Sequence, residues 1–299
     1  MTNNISVKNR FLICQDVIFV PNKIAKYLSV KIVILILKIV VIIYLLVCVC
    51  FYIWQEKVLF LPEKLPENYQ FRFRSAWMQD SEEHTLTSKS AEGKINLVWL
   101  KTAKPKGVIV YCHGNAGNIQ RWANIVDDLM QYGYDVILWD YRTYGKSTGK
   151  LNEKNLLADG QLVYNFAKTH FTENQIIVFG RSLGTGVATY LSAANSPHYL
   201  LLETPYFNLK DVAAFHFSYL PYSLLLKFEF NNNEWIKEVR CPIYIFHGTY
   251  DRTVPYKSGY KLKPLLKPND EFITLEAGDH NDLSSFLLYQ EKIKEILSK

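Results

Sequence analysis

The longest apolar run in the sequence extends from Ile32 to Trp54 and contains one charged side chain, Lys38, in 23 residues. At about 1.5 Å per residue, a helix of this length can cross a hydrocarbon core of about 30 Å. A buried core helix would rarely be so long and uninterrupted at the edge of a domain. No small-x-small site follows the run, which argues against a cleaved signal peptide. We therefore predict a tail over residues 1–31 and an uncleaved membrane-spanning helix over residues 32–54.

Positive charges flank the run on both sides and bear on its orientation. Within about 20 residues, three Lys or Arg residues precede the run and four follow it. Two of the latter, Arg72 and Arg74, are assigned to the folded domain that follows. Without these two residues, more positive charges precede the run than follow it. This difference favours a cytoplasmic N-terminus and a translocated C-terminal domain.

After the run, short apolar segments alternate with segments of helical periodicity, which predicts a folded domain over residues 55–299. The first expected strands form an antiparallel set. They are followed by buried segments that are too short for helices, and an amphipathic stretch follows each of these segments. Alternation of this kind indicates a parallel sheet covered by helices on both faces. The expected strands are 71–78, 84–88, 95–101, 107–113, 134–141, 175–180, 199–204, 242–248 and 271–277, and the expected helices 119–130, 152–170, 182–194, 258–266 and 283–297. Residues 206–236 interrupt the alternation and are predicted to form an insertion.

The segment 175–184 reads as a buried strand, a tight turn and the start of a helix. Within it, Gly180 and Gly184 flank Ser182 in a G-x-S-x-G pattern. A serine held at a sharp strand-to-helix turn has a strained backbone, so its neighbours at plus and minus two must lack a Cβ. The turn exposes the hydroxyl at a helix N-terminus, where negative charge is favoured. We interpret Ser182 as a nucleophile.

A serine hydroxyl needs a histidine base oriented by a carboxylate. His280 follows the segment 271–277 and precedes the last predicted helix, where the elbow pattern places the base. Asp251 lies in the loop after the segment 242–248 and between the two in chain order, which favours it as the acid. Glu203, at the end of the preceding strand, is the competitor and is interpreted as a structural carboxylate.

An oxyanion hole needs two backbone N–H groups aimed at one point. Leu183, directly after the nucleophile, is predicted to supply one of them. The loop after the strand 107–113, rich in small residues, should supply the other. We assign that donor to Asn115, with Ala116 as the alternative. A plain glycine turn is compatible with the same loop residues.

Composition narrows the function further. The formal charge of +6 is not concentrated in a basic stripe, so nucleic acid is an improbable partner. The five cysteines form no disulfide framework or metal motif, and they are interpreted as buried free thiols. The segment Gly145-Lys146-Ser147 mimics the end of a P-loop, but Asp140 stands where that motif requires glycine. We predict no metal and no cofactor.

Four short motifs occur along the chain, and the set of four in its order is more specific than any one of them. They are G-x-S-x-G at 180–184, the loop His113-Gly114-Asn115-x-Gly117-Asn118, the run Asp140-Tyr141-Arg142-x-Tyr144-Gly145-x-Ser147-x-Gly149, and His247-Gly248-x-x-Asp251-x-x-Val254-Pro255. The chain from about residue 60 resembles the α/β-hydrolase superfamily, and within it the membrane-anchored ABHD-type serine hydrolases with one N-terminal span. The resemblance implies an α/β-hydrolase fold with a mostly parallel eight-stranded sheet, and a cap over the active site at 206–236. One departure is Thr143, where the family usually has glycine.

The resemblance implies hydrolysis of esters, thioesters or other acyl bonds without a cofactor. The cap segment is rich in aromatic residues, most of which we expect to pack onto the sheet. We expect a smaller number of these aromatic rings, including Phe215 and Phe217, to face the pocket. Apolar rings there would suit an acyl chain, so we predict that the substrate is a lipid-like or long-acyl ester or thioester. The alternatives are an aminopeptidase-type or amidase-type serine hydrolase and a catalytically silent, membrane-tethered interaction module.

Overall fold

The computed structural model describes residues 22–88 and 92–298 of the chain. Its first element is helix α1, Asn22–Leu59, which contains the whole predicted membrane-spanning run and extends it at both ends. Residues 1–21 of the predicted tail lie outside the described residues. The segment Ser29–Leu59 is long and apolar enough to cross a membrane. The chain divides into two compact units, one ending at Cys50 and the other running from Phe51 to Lys299.

The second unit is built on an eight-stranded sheet. The strands are β1 (Leu61–Pro62), β2 (Asp80–Ser88), β3 (Gly93–Lys101), β4 (Gly107–Cys112), β5 (Ala116–Gly117), β6 (Tyr134–Trp139), β7 (Ile176–Arg181), β8 (Tyr199–Glu203), β9 (Ile243–Gly248) and β10 (Glu271–Leu275). The sheet has the order β10-β9-β8-β7-β4-β6-β3-β2, and β1 pairs with β5 apart from it. Strand β3 is antiparallel to both neighbours, and the other neighbouring strands pair in parallel. The predicted mostly parallel eight-stranded sheet is confirmed.

Helices cover both faces of this sheet. They are α2 (Ile119–Met130), α3 (Glu153–Lys168), α4 (Gly184–Ala194), α5 (Leu209–His216), α6 (Tyr222–Leu225), α7 (Asn232–Trp235), α8 (Tyr256–Tyr260) and α9 (Leu287–Leu297). Strand residues point alternately to the two faces, so Val108 and Ile109 lie in different apolar clusters. The first cluster includes side chains of α3 and α4, and the second includes side chains of α2 and α9. Each face of the sheet is therefore buried under its own helix layer.

Residues 71–78 are irregular, and our prediction of a strand there is wrong. Phe71 and Phe73 stack on each other with ring centroids 5.7 Å apart and pack against the second apolar cluster. The backbone of Arg72 bonds to the side chain of Gln120, which accepts from Arg72 N at 2.9 Å and donates to Arg72 O at 2.7 Å. Because a side chain satisfies these backbone groups, the apolar alternation does not produce a strand.

The insertion between β8 and β9 contains the short helices α5, α6 and α7. Its aromatic residues differ in exposure. Tyr206, Tyr222, Phe228 and Phe230 are buried, whereas Phe215, Phe217 and Tyr219 are exposed. Tyr206, Phe228 and Phe230 belong to the first apolar cluster, and the partly buried Phe207 and Trp235 pack against it, as most of these rings were expected to do.

Candidate active site

Ser182 lies in the turn between β7 and α4 and has a positive φ of 52°. A Cβ on Gly180 would come within 2.6 Å of the Cβ of Ala188, and one on Gly184 within 2.0 Å of the Cys112 carbonyl oxygen. Neither position has room for a side chain. Left-handed backbone at a non-glycine residue is strained by about 1–3 kcal/mol, and such strain persists where packing enforces it. The two glycines allow that packing.

Three side chains that are distant in sequence form a hydrogen-bonded line. His280 Nε2 lies 3.1 Å from Ser182 Oγ, and His280 Nδ1 lies 2.8 Å from Asp251 Oδ2. The serine and the histidine lie in the turns that follow β7 and β10, and the aspartate follows β9. Because parallel strands end at one edge of the sheet, the three turns meet there. With Nδ1–H donated to the carboxylate, Nε2 is left to accept the serine proton.

Asp251 is buried and held in place by four contacts. Its Oδ1 accepts hydrogen bonds from the N–H groups of Thr253 and Val254, both at 2.9 Å. Its Oδ2 faces both His280 and, at 3.3 Å, Nε2 of His247. Burial by itself raises the pKa of this carboxyl group, but the hydrogen bonds from the two imidazoles outweigh burial and lower the pKa to about 2. Asp251 is therefore ionised at neutral pH.

His247 also contacts Asp251, a contact that the sequence did not lead us to predict. Its Nε2 also lies 3.0 Å from the Val254 carbonyl oxygen, whereas its buried Nδ1 has no hydrogen-bond partner among the described residues. The proton therefore belongs on Nε2, between two acceptors. The i, i+4 spacing of His247 and Asp251 after a strand is the signal that could have revealed this contact.

Glu203 contacts a different set of groups. Arg181 Nε lies 3.1 Å from Glu203 Oε1, and the Tyr289 hydroxyl donates to Oε2 at 2.8 Å. Arg181 also donates from Nη2 to the His280 carbonyl oxygen at 3.4 Å and to Asn281 Oδ1 at 3.1 Å. The carboxylate of Glu203 thus anchors the arginine that braces the His280 loop, as a structural carboxylate would.

The two predicted oxyanion donors come from loops that are packed together. The Cβ that Gly184 lacks would collide with the carbonyl oxygens of Cys112 and His113, so the end of β4 lies against the start of α4. This places the loop containing Asn115 beside Leu183. The Asn115 carbonyl oxygen accepts from Leu61 N at 2.8 Å and from the Tyr144 hydroxyl at 2.5 Å, which fixes the peptide between Asn115 and Ala116.

A buried histidine–aspartate pair supports the same loop from behind. His113 Nδ1 donates to the Gly114 carbonyl oxygen at 2.6 Å, and His113 Nε2 lies 3.7 Å from Asp140 Oδ1. Burial lowers the pKa of His113 to about 4 and raises the pKa of Asp140 well above its usual value. His113 is therefore neutral near pH 7, and burial favours the protonated form of Asp140. Since a trans peptide directs N–H and C=O oppositely, the Asn115 N–H points away from the His113 ring.

The two predicted pocket residues lie on the cap. Phe217 packs edge-on against Phe51, with ring centroids 6.3 Å apart, and Phe215 packs against the ring of His216. His216 Nε2 lies 3.1 Å from the Thr253 carbonyl oxygen, close to Asp251 in the chain. Phe217 lines a groove described below, and the role of both rings in substrate binding stays a prediction. Among the described residues, no three His, Cys, Asp or Glu side chains are grouped to hold a metal ion.

The sheet order, the strained serine after β7 and the cap after β8 define an α/β hydrolase. A family model described as "Serine aminopeptidase, S33" matches residues 103–228. An esterase of Pyrococcus furiosus superposes with a TM-score of 0.62 at 19% identity, covering 80% of this chain and 96% of the esterase. An α/β hydrolase of Vibrio vulnificus superposes with a TM-score of 0.61 at 18% identity, covering 74% and 82%.

Curated relatives extend the likeness to sequence. "Lysophosphatidylserine lipase ABHD12" of Rattus norvegicus is 31% identical over 218 residues, which is 63% of this chain and 54% of the rat protein. An uncharacterised protein of Acanthamoeba polyphaga mimivirus is 30% identical over 63% of this chain and 71% of its own length. The chain has the α/β-hydrolase fold and is similar in sequence to ABHD-type hydrolases. It spans about half the length of the ABHD12 lipases that it matches.

Proposed function

We propose that this protein is a membrane-anchored serine hydrolase that cleaves ester bonds of lipid-like substrates. The observation that carries the proposal is the hydrogen-bonded line from Ser182 through His280 to the ionised Asp251. In this arrangement the imidazole can take the proton of the hydroxyl, and the ionised carboxylate stabilises the imidazolium that forms. The likeness to ABHD12 lipases supports lipid esters as the substrate class.

The geometry supports the following reaction. Ser182 Oγ attacks the acyl carbon while His280 Nε2 takes the serine proton, and Asp251 stabilises the resulting imidazolium. The N–H groups of Leu183 and Asn115 stabilise the oxyanion, Ala116 being the alternative to Asn115. Collapse of the tetrahedral intermediate releases the alcohol, which receives its proton from His280. Water then enters, His280 removes a proton from it, and the acyl-enzyme is hydrolysed to the carboxylic acid and free Ser182.

The anchor in this proposal is the apolar segment 32–54. The candidate span Ser29–Leu59 contains it, and the charge balance around it favours a cytoplasmic N-terminus. Protease protection of intact membrane vesicles tests this orientation. Cleavage of the hydrolase unit from the cytoplasmic side alone would contradict it.

The primary test is labelling by a fluorophosphonate probe, which reacts only with an activated serine. Ser182→Ala should abolish labelling and reduce ester turnover by several orders of magnitude, about 10⁶ by analogy with other serine hydrolases. Ser192→Ala is the matched control, because Ser192 is buried in helix α4, which follows Ser182, and its hydroxyl has no hydrogen-bond partner in the part of the chain that the structure describes. Labelling that survives in the Ser182 variant would refute Ser182 as the nucleophile, and absence of labelling in the native chain would favour a silent interaction module.

The second test concerns the scissile bond and the acyl chain. The family model's own description as an aminopeptidase makes an aminoacyl amide the competing substrate. Purified protein should hydrolyse long-chain lysophospholipids and p-nitrophenyl esters faster than acyl-thioesters or aminoacyl amides. Phe215→Ser and Phe217→Ser should raise KM for long-chain esters more than for acetate esters, since each buried CH₂ contributes about 0.8 kcal/mol. Preference for aminoacyl amides, or equal effects on both ester lengths, would contradict lipid specificity.

A further inference from the structure

The cap exposes a cluster of large apolar side chains. Phe215, Phe217, Tyr219 and Leu224 have relative exposures of 61%, 55%, 87% and 80%. All four fall within ten positions on and between helices α5 and α6, which pack against each other. Single exposed apolar residues are common on soluble proteins, but a cluster of this kind marks a contact surface. We call these four residues the cap apolar surface.

The cap is attached to the end of the apolar helix by a buried glutamine. Gln55 Nε2 donates to the Leu225 carbonyl oxygen at 2.8 Å, and Gln55 Oε1 accepts from Lys227 N at 2.8 Å. One amide side chain therefore satisfies two backbone groups of the cap, as a neighbouring strand would. The ring of Phe51 adds edge-on contacts to Phe217 and Tyr222, with centroids 6.3 Å and 5.9 Å apart. All of these residues lie in the second compact unit.

These attachments place the cap at the membrane boundary. The apolar run ends at Trp54, so Phe51 and Gln55 lie within one helical turn of that end. Trp54 is itself exposed, and tryptophan is enriched where hydrocarbon meets headgroups. Lys227 extends over the ring of Tyr52 at 4.6 Å and lies 3.4 Å from Glu56, at a level suited to lipid headgroups. Phe217 and Tyr222, the cap residues that contact Phe51, therefore lie at about the level of the headgroups.

A groove of about 150 Å³ lies beside this surface, between the helix end and the cap. Its lining is almost wholly apolar, and its walls include Phe51, Val58, Leu59, Val212, Phe217 and Leu226. His216 also lines the groove, and its bond to the Thr253 carbonyl oxygen connects the groove to the loop that holds Asp251. A hydrocarbon chain leaving a bilayer would meet this groove before it reached the site.

We propose that the cap apolar surface inserts into the membrane interface, and that the groove receives the acyl chain of a lipid leaving the same leaflet. The inference rests on the proposed hydrolase function and on residues 32–54 being the anchor. We assign the exposed rings to a bilayer and not to a protein partner, because the cap contacts the chain at Phe51 and Gln55, where the apolar run ends. The substrate then reaches Ser182 without crossing water.

The first experiment measures lipid contact independently of catalysis. The photoreactive amino acid p-benzoylphenylalanine replaces Tyr219 or Leu224 in the full chain carrying Ser182→Ala, reconstituted into phosphatidylcholine vesicles. The same replacement at Leu287, which is 68% exposed on α9, is the matched control. Irradiation should attach lipid at positions 219 and 224 at least fivefold more than at 287. Equal labelling at the three positions, or attachment to a second copy of the chain instead of lipid, would overturn the proposal.

The second experiment measures the consequence for turnover. Leu224→Asp and Tyr219→Asp, in the otherwise native full chain, should raise KM for a lysophospholipid embedded in vesicles about tenfold and leave hydrolysis of soluble p-nitrophenyl acetate unchanged. Leu287→Asp should alter neither rate. Unchanged KM in both cap variants would refute membrane insertion, whereas p-nitrophenyl acetate hydrolysis that does not depend on Ser182 would refute the hydrolase function itself. The two failures are therefore distinguishable.

Discussion

His247 Nε2 lies 3.3 Å from Oδ2 of Asp251, the same carboxylate oxygen that faces the imidazole of His280 at 2.8 Å. One oxygen thus lies between two imidazoles, both buried. Gly259 makes the arrangement possible, since a Cβ there would lie 2.2 Å from His247 Nδ1. We infer that His247 is a positioning residue, which fixes the direction from which Asp251 meets His280.

The first prediction follows from that position. His247→Phe removes the donor to Asp251, and we expect kcat on p-nitrophenyl esters to fall about 100-fold with little change in KM, as misplacement of a catalytic group by about 1 Å can do. His247→Gln keeps a side-chain N–H and should recover most of kcat. A purely structural role would lower thermal stability in both variants without separating kcat from KM.

The acid can be assigned by a pair of isosteric variants. Asp251→Asn should lower kcat about 10⁴-fold, because an amide neither stabilises the imidazolium nor holds the correct tautomer. Glu203→Gln leaves the Asp251–His280 contact intact, so its effect on kcat should stay within about tenfold. Steady-state kinetics of both variants on one ester measure the two losses of kcat. A larger loss in the Glu203 variant would make Glu203 the acid and Asp251 the structural carboxylate.

The end of the apolar helix should be needed for the stability of the hydrolase unit. A chain that begins at Phe51 keeps Gln55 and its bonds to the cap, and we expect it to fold and to hydrolyse soluble esters. A chain that begins at Phe60 leaves the backbone groups of Leu225 and Lys227 without these partners, so it should unfold at a lower temperature or aggregate. Thermal unfolding of the two fragments gives the comparison, and equal midpoints would contradict it.

The depressed pKa of Asp251 predicts a pH dependence of stability. The carboxyl pKa is 3.8 in the unfolded reference and about 2 in the folded chain, so the unfolded state binds more protons between these values. The stabilisation is fully present above about pH 4 and is lost as the pH falls through about 2, an effect of about 2 kcal/mol. Urea unfolding of the fragment beginning at Phe51 should show this loss relative to Asp251→Asn. Parallel pH profiles would contradict it.

Thr143 stands where the related hydrolases usually have glycine, and its φ is 76°. A β-branched residue in left-handed backbone is strained by about 1–3 kcal/mol, and glycine removes that strain at a cost of about 1 kcal/mol in chain entropy. We expect Thr143→Gly to raise the free energy of unfolding by about 1 kcal/mol. Thr169→Gly, at a residue with φ −74°, is the control and should lower it. A loss of stability at position 143 would show that other contacts outweigh the strain.

The sequence by itself determined those features that depend on local periodicity and local backbone geometry. Continuous apolar runs predicted the buried strands, because a strand covered on both faces has no polar side. Gly180 and Gly184 predicted the tight turn at Ser182, because a Cβ at either position would collide with a neighbour. The motif order predicted the superfamily and the eight-stranded sheet. All of these are short-range properties, or sums of them.

Tertiary structure decided which distant groups meet. Ser182 and His280 are 98 residues apart in sequence, and Asp251 and His280 are 29 apart, yet the parallel strands bring their turns to one edge. The i, i+4 spacing hints at the contact of His247 with the same carboxylate, but that contact also depends on the close approach of α8, which the spacing does not record. The segment 71–78 has strand-like alternation but bonds to Gln120 instead. The aromatic cap could likewise be read as pocket wall or as surface, because hydrophobicity reports that a ring avoids water and only packing decides what covers it.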